Sequence, residues 1–177
     1  MKHLLKSLRA LRNDDHGTAS VEFVIVFPFF LGLLVSSVEV SMITVRETML
    51  ERALDLTVRE IRLETGTAPQ HDEIKKAICE RAPIIADCED NLRLEMMQIN
   101  PRAWSDPQAS FDCTDQSEDV QPVRNFVNGQ ENQLMLLRAC AKFAPIFPGA
   151  GIGKELAKDG AGMAAITAAS AFVQEPQ

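Results

Sequence analysis

The apolar positions of this chain pass from an unbroken run to a helical period and then to alternation, and each pattern predicts its own element. From Phe23 to Val38, sixteen consecutive residues carry no charge, which predicts a membrane-spanning helix. Taken from Thr18, where a polar leader gives way, to Val38, the segment measures about 30 Å at ~1.5 Å per residue, the thickness of a hydrocarbon core. Beyond it, Ile43, Leu50, Leu54, Val58 and Ile61 recur at intervals of seven, four, four and three, forming one helical stripe. The opposite face holds Arg46, Glu47, Glu51, Arg52, Asp55, Arg59, Glu60 and Arg62, a solvated surface on which Asp55 and Arg59 have pairing spacing. No Gly or Pro follows Gly32 in this stretch, so a single helix is expected from Thr18 to about Leu63, closed by Thr65-Gly66-Thr67 and Pro69.

The remainder is shorter-ranged. Asp72 to Ala82 predicts a short helix with Ile74, Ala77 and Ile78 on one side, ended by Pro83. Leu92, Leu94 and Met96 alternate with Arg93 and Glu95, a strand signal that Pro101 terminates. Residues 101–133 are polar, with Trp104, Phe111 and Cys113 as anchors, and read as a long loop with room for a weak strand. Met135, Leu137, Ala139, Ala141 and Phe143 share one face of a second strand, and Arg138, Cys140 and Lys142 share the other. Ala164 to Val173 suits a strand or a helix equally by its alanines. Ala161 to Val173 is too short for a second span.

Charge narrows the partners. The chain carries a formal net charge of −7; residues 1–17 hold four Lys or Arg against two Asp, so the remainder carries −9. That sign excludes nucleic acid, whose phosphates call for clustered cations. With 177 residues and 46% hydrophobic content, the chain has room for one modest domain and one span, too little for a large catalytic architecture. Lys2, Lys6, Arg9 and Arg12 precede the span and the next basic residue is Arg46, which places the N-terminus in the cytoplasm and exports the rest. Four cysteines in an exported chain read as two disulfides, with reduced thiols as the alternative. Of the three connectivities, Cys79–Cys88 with Cys113–Cys140 is expected, because the first closes a short loop and the second ties the polar loop to a strand.

No chemistry-bearing motif survives inspection. Pro148 to Glu155, PGAGIGKE, lacks the glycine and the Ser or Thr that a phosphate loop needs at its ends, and reads as a flexible turn. His3, His16 and His71 are scattered and no His or Cys pair has zinc spacing, so neither metal nor cofactor is expected. No nucleophile constellation is present, and the chain reads as a non-enzyme.

One acid demands explanation. Glu22 lies one turn inside the apolar helix, where a carboxylate costs up to about 2.5–3.5 kcal/mol at the bilayer centre and less near an end. Gly17, four residues and then Glu22, behind a basic leader, resembles a prepilin peptidase site. With Pro28 inside the span, the wording VEFVIVFPFFLGLL, and an Ala-rich end running into Phe172-Val173-Gln174-Glu175-Pro176, the chain resembles the TadE-like family of tight-adherence (Tad) pilus assembly proteins. Thr18 replaces the Phe or Met common at the first mature position of pilins, and Phe23 stands where major Flp pilins usually carry Tyr. Both departures point to a minor pilin-like subunit.

The resemblance implies cleavage between Gly17 and Thr18 and pairing of Glu22 with a free N-terminal ammonium, its own or a neighbour's. It implies other pilin-like subunits, the major Flp pilin, a prepilin peptidase, the inner-membrane assembly platform and the lipid bilayer as partners. It also favours a strand over a helix at Ala164–Val173. The expected fold is α+β: a leader over 1–17, a long helix over 18–64 that crosses the membrane at about 18–38, and a periplasmic domain over 65–177. In that domain the amphipathic half-helix covers a small antiparallel sheet with strands near 92–99, 134–143 and 164–173. Alternatives remain: an interfacial role for Glu22, signal-peptidase cleavage at Val35-Ser36-Ser37, and a plain packing notch rather than a built bend at Pro28 and Gly32. For function, the alternatives to a minor pilin-like subunit of Tad pilus assembly or initiation are a bitopic periplasmic scaffold or binding protein with an uncleaved anchor, and a tethered enzyme.

Overall fold

The computed structural model of the chain describes residues 18–63, 69–103, 111, 113 and 126–175. A continuous helix, α1 (Thr18–Leu63), is followed by α2 (His71–Arg81), a single turn α3 (Cys88–Asn91), strands β1 (Leu92–Ile99) and β2 (Leu134–Phe143), a short helix α4 (Gly151–Glu155) and strand β3 (Ala164–Val173). The three strands form one antiparallel sheet in the order β1-β2-β3. Leu92 opposes Ala141 and Ile99 opposes Leu134 on one side of β2, while Leu134 opposes Val173 and Phe143 opposes Ala164 on the other. This is the expected α+β arrangement, with β1 and β2 where the alternation places them and β3 where the family resemblance favours a strand. The stop at Thr65-Gly66-Thr67 and the Trp104 anchor lie outside the described residues.

The apolar stripe of α1 explains the layering. Leu50, Leu54, Val58 and Ile61 are buried with Ile74 and Ile78 of α2 and the helix-facing strand residues Leu92, Leu94, Met96, Met135, Leu137 and Phe172, while Ile43 packs at the margin. A three-stranded sheet this small is unstable with one face wet, and two helices remove that face from water. α2 begins where the backbone N–H of Gln70 donates to Glu73 at 2.8 Å, half of a reciprocal cap. At its other end Arg81 pairs with Glu60 of α1; no ion pair joins Asp55 and Arg59 among the described residues.

Both disulfides form with the expected connectivity, Cys79–Cys88 and Cys113–Cys140. The second reveals why the other face of β2 is also buried. Cys140 pins residue 113 onto that face, the Arg138 guanidinium lies 3.9 Å from the centre of the Phe111 ring, and Arg138 meets Glu95 of β1 at 3.5 Å. Lys142 meets Asp159 at 3.0 Å, in the alignment of an ion pair rather than a directed hydrogen bond. Phe111 and Cys113 thus lie over a charged layer on this face of the sheet. Where the loop had room for a weak strand, the described residues show one isolated parallel bridge, between Phe126 and Met96. One expectation fails: PGAGIGKE is not a flexible turn. It contains the helical turn α4, held against α1 by the contacts described next.

Candidate functional site

The long helix divides into two environments at one residue. From Val21 to Leu34 its large apolar side chains stand in the open, Phe29 at 74% and Leu33 at 72% exposure, and an 18-residue window of mean hydropathy 2.3 is 0% buried. Helix α1 is long and apolar enough to cross a membrane, and its exposed half fits a single-pass anchor. Phe23 and Phe27 stack at 4.7 Å along this half. Glu22 is exposed on the first turn, four residues after Thr18; Gly17 lies outside the described residues. Pro28 is accommodated without interrupting the helix, and a Cβ on Gly32 would meet nothing within 4 Å. Among the described residues nothing fills the notch at Gly32.

The first fully buried residue along α1 is Glu39, at 0% exposure. Its carboxylate accepts the backbone N–H groups of Ile146, at 3.1 Å, and Phe147, at 2.8 Å. These donors belong to the loop leaving β2, where Pro145 and Pro148 end the strand and leave the intervening amides without ladder partners. A buried charge is tolerable only when hydrogen-bonded, and two amide dipoles supply that here. The opposite end of the same loop is held by the opposite charge. Lys158 Nζ donates to the carbonyls of Pro148, Gly153 and Lys154 at 3.0, 2.7 and 3.2 Å, satisfying carbonyls that a five-residue helix leaves open.

Glycine makes this docking possible. Gly151 has φ +53°, and a Cβ there would stand 2.6 Å from the Ser36 hydroxyl; a Cβ on Gly153 would collide with the Phe147 carbonyl. The α4 loop therefore approaches α1 at backbone distance, at the level of Ser36 to Glu39. Asp159 then closes the turn into β3, its carboxylate accepting the N–H groups of Ala161 and Met163 at 3.1 and 2.9 Å. Burial opposes its ionisation, but the Met163 amide, the Lys142 ammonium and the Ala161 amide together hold its pKa below the ordinary aspartate value.

At the distal end of α1, a cleft of about 410 Å³ separates the helix from β3; it is lined by Val58, Arg59 and Phe172 and bridged by Arg62 and Glu175 at 3.3 Å. Sequence reading assembled the helix, the span and the cysteines but had no place for Glu39. The only signals were a lone acid ending the uncharged run and a Gly-x-Gly-x-Gly spacing at 149, 151 and 153.

Residues 17–59 match the family described as TadE-like protein. The match takes in the whole exposed half of α1 and most of its buried half, and ends before the sheet. No curated protein and no solved structure matches the chain.

Proposed function

We propose that this chain, TadE-like over residues 17–59, acts as a minor pilin-like subunit in assembly or initiation of a Tad pilus. In this reading a prepilin peptidase cuts between Gly17 and Thr18 on the cytoplasmic face, and α1 holds the sheet domain on the other side of the inner membrane. The observation that carries the reading is the coincidence, within one family-matched segment, of the Gly17–Glu22 spacing, an exposed apolar half-helix and an amphipathic continuation in a single helix. A plain anchor needs neither Glu22 nor rigid continuity into the domain. A pilin-like subunit uses both: the helix packs among neighbouring helices, and cleavage creates an ammonium one helical turn from the carboxylate. That ammonium is largely protonated, with a pKa of about 7.7–8.0. The partners are other pilin-like subunits, the major Flp pilin and the inner-membrane assembly platform, and the work is structural rather than enzymatic.

The test is the intact mass of membrane-extracted protein from a host with its prepilin peptidase. A mature species beginning at Thr18, and an unprocessed Gly17→Leu variant that inserts but no longer supports piliation, are expected. A species retaining Met1 would instead favour the uncleaved scaffold, and one beginning near Val38 would favour signal-peptidase cleavage.

A further inference from the structure

We propose that the α4 loop is a second membrane contact, in which Ile146 and Ile152 seat in the headgroup and acyl boundary of the bilayer on the side where the sheet domain lies. The inference rests on the reading of residues 18–38 as a span and goes beyond it by assigning a lipid contact to the globular domain.

Three observations converge on this loop. The first is its height: Gly151 touches Ser36, and Ile146 and Phe147 are tied to Glu39, so the loop is fixed beside the last turn of the uncharged run that ends at Val38. A helix that places Phe23 to Val38 in hydrocarbon necessarily places this loop at the water boundary. The second is composition. Residues 143–153 carry no charge in a domain that is otherwise acidic, and Lys154 stands exposed at the end of that stretch, as suits a segment facing headgroups. The third is the disposition of its side chains. Ile146 is 42% and Ile152 40% exposed, although Pro145 and Gly153, which flank the stretch on either side, are buried. Two β-branched apolar residues are held outward by a loop with supports at both ends; among the described residues nothing covers them, and they lie next to an apolar half-helix that is equally exposed. The bilayer that covers one reaches the other. Glu39 and Lys158 fix the depth of the loop, because they hold its backbone rather than its side chains.

The full chain carries one tryptophan, Trp104, so Trp104→Phe supplies a silent background. In that background Ile146→Trp, Ile152→Trp, Val26→Trp and Leu63→Trp are each reconstituted in phosphatidylcholine vesicles with bromines placed near the ester end of the acyl chains. Val26 lies within the span; Leu63 lies 24 positions beyond Glu39 on the same helix, about 36 Å away at ~1.5 Å per residue. Blue-shifted emission and loss of fluorescence at position 146 or 152, with Leu63→Trp unquenched, is the expected result. Water-like, unquenched emission at both loop positions while Val26→Trp is quenched overturns the loop contact and leaves the anchor intact. Absence of quenching at Val26 as well overturns both.

Discussion

The carboxylate of Glu39 accepts the backbone N–H of Phe147 at 2.8 Å, across 108 positions of sequence, and this bond ties the base of the exposed apolar half-helix to the sheet domain. Glu39→Ala leaves two part-buried amides without their acceptor and removes a charge-assisted pair of bonds. A loss of about 2–4 kcal/mol follows, given ~1.5–3 kcal/mol for a hydrogen bond to a charged group and ~1–3 for an orphaned donor. Urea unfolding of the detergent-solubilised protein, followed by circular dichroism, measures it. Glu39→Gln retains one acceptor oxygen and is expected to lose less.

Two glycines, one in the docked α4 loop and one in the exposed half of α1, should behave oppositely. Gly153→Ala drives a methyl into the Phe147 carbonyl and is expected to cost about 1–3 kcal/mol, as overpacking does. Gly32→Ala meets open space, so thermal stability of the isolated protein should be unchanged or slightly raised. If the notch at Gly32 receives a neighbouring subunit's helix, the same substitution lowers pilus yield; unchanged yield would make the notch incidental.

Removing the disulfides in pairs should rank them. Replacing Cys113 and Cys140 by Ala opens a separation of 27 residues and replacing Cys79 and Cys88 opens one of 9. Loop-closure entropy then predicts losses of about 3.5 and about 2.5 kcal/mol respectively. The first also frees the segment covering Arg138. Denaturant titration of the two variants, with non-reducing peptide mapping of the parent, checks both the connectivity and the order.

Asp159 makes stability fall in acid. Its pKa is lower folded than unfolded, so the native state binds fewer protons than the unfolded state does. The stabilisation is therefore complete above the unfolded aspartate value of about 3.9 and is lost as pH falls through the lower folded value. Asp159→Asn also strands the buried Lys142 ammonium, for which about 3–5 kcal/mol is the usual cost of breaking a buried pair. Unfolding free energies of parent and variant, measured from pH 7 downward, should converge only at the acid end.

Glu22→Gln keeps the shape of the first helical turn and removes its charge. Under the pilin-like reading, processing and membrane insertion persist, while piliation and co-isolation with other pilin-like subunits decline. Unchanged assembly would leave the carboxylate an interfacial group and nothing more.

The long helix, the apolar half that fits a span, the stripe from Leu50 to Ile61 and strands β1 and β2 were all legible in the sequence, because each is a local repeat written by which side chains avoid water; the alanines of β3 left strand and helix equal, and only the family resemblance favoured the strand. The cysteine pairing followed from one short loop and from the need to tie the polar loop to a strand. Glu39 was not legible, since a single acid after an apolar run looks like the return of solvent; only the chain returning after β2 shows that two amides wait for it. Nor was the second buried face of β2, where Arg138, Cys140 and Lys142 alternate as a wet face would. Partners for those charges come from Glu95, Phe111 and Asp159, brought together by the sheet register and the Cys113–Cys140 bridge. Periodicity records which groups are apolar and is therefore a property of the sequence by itself. Whether a charged group is buried depends on a partner that may be a hundred residues away, and that is decided only when the tertiary structure closes.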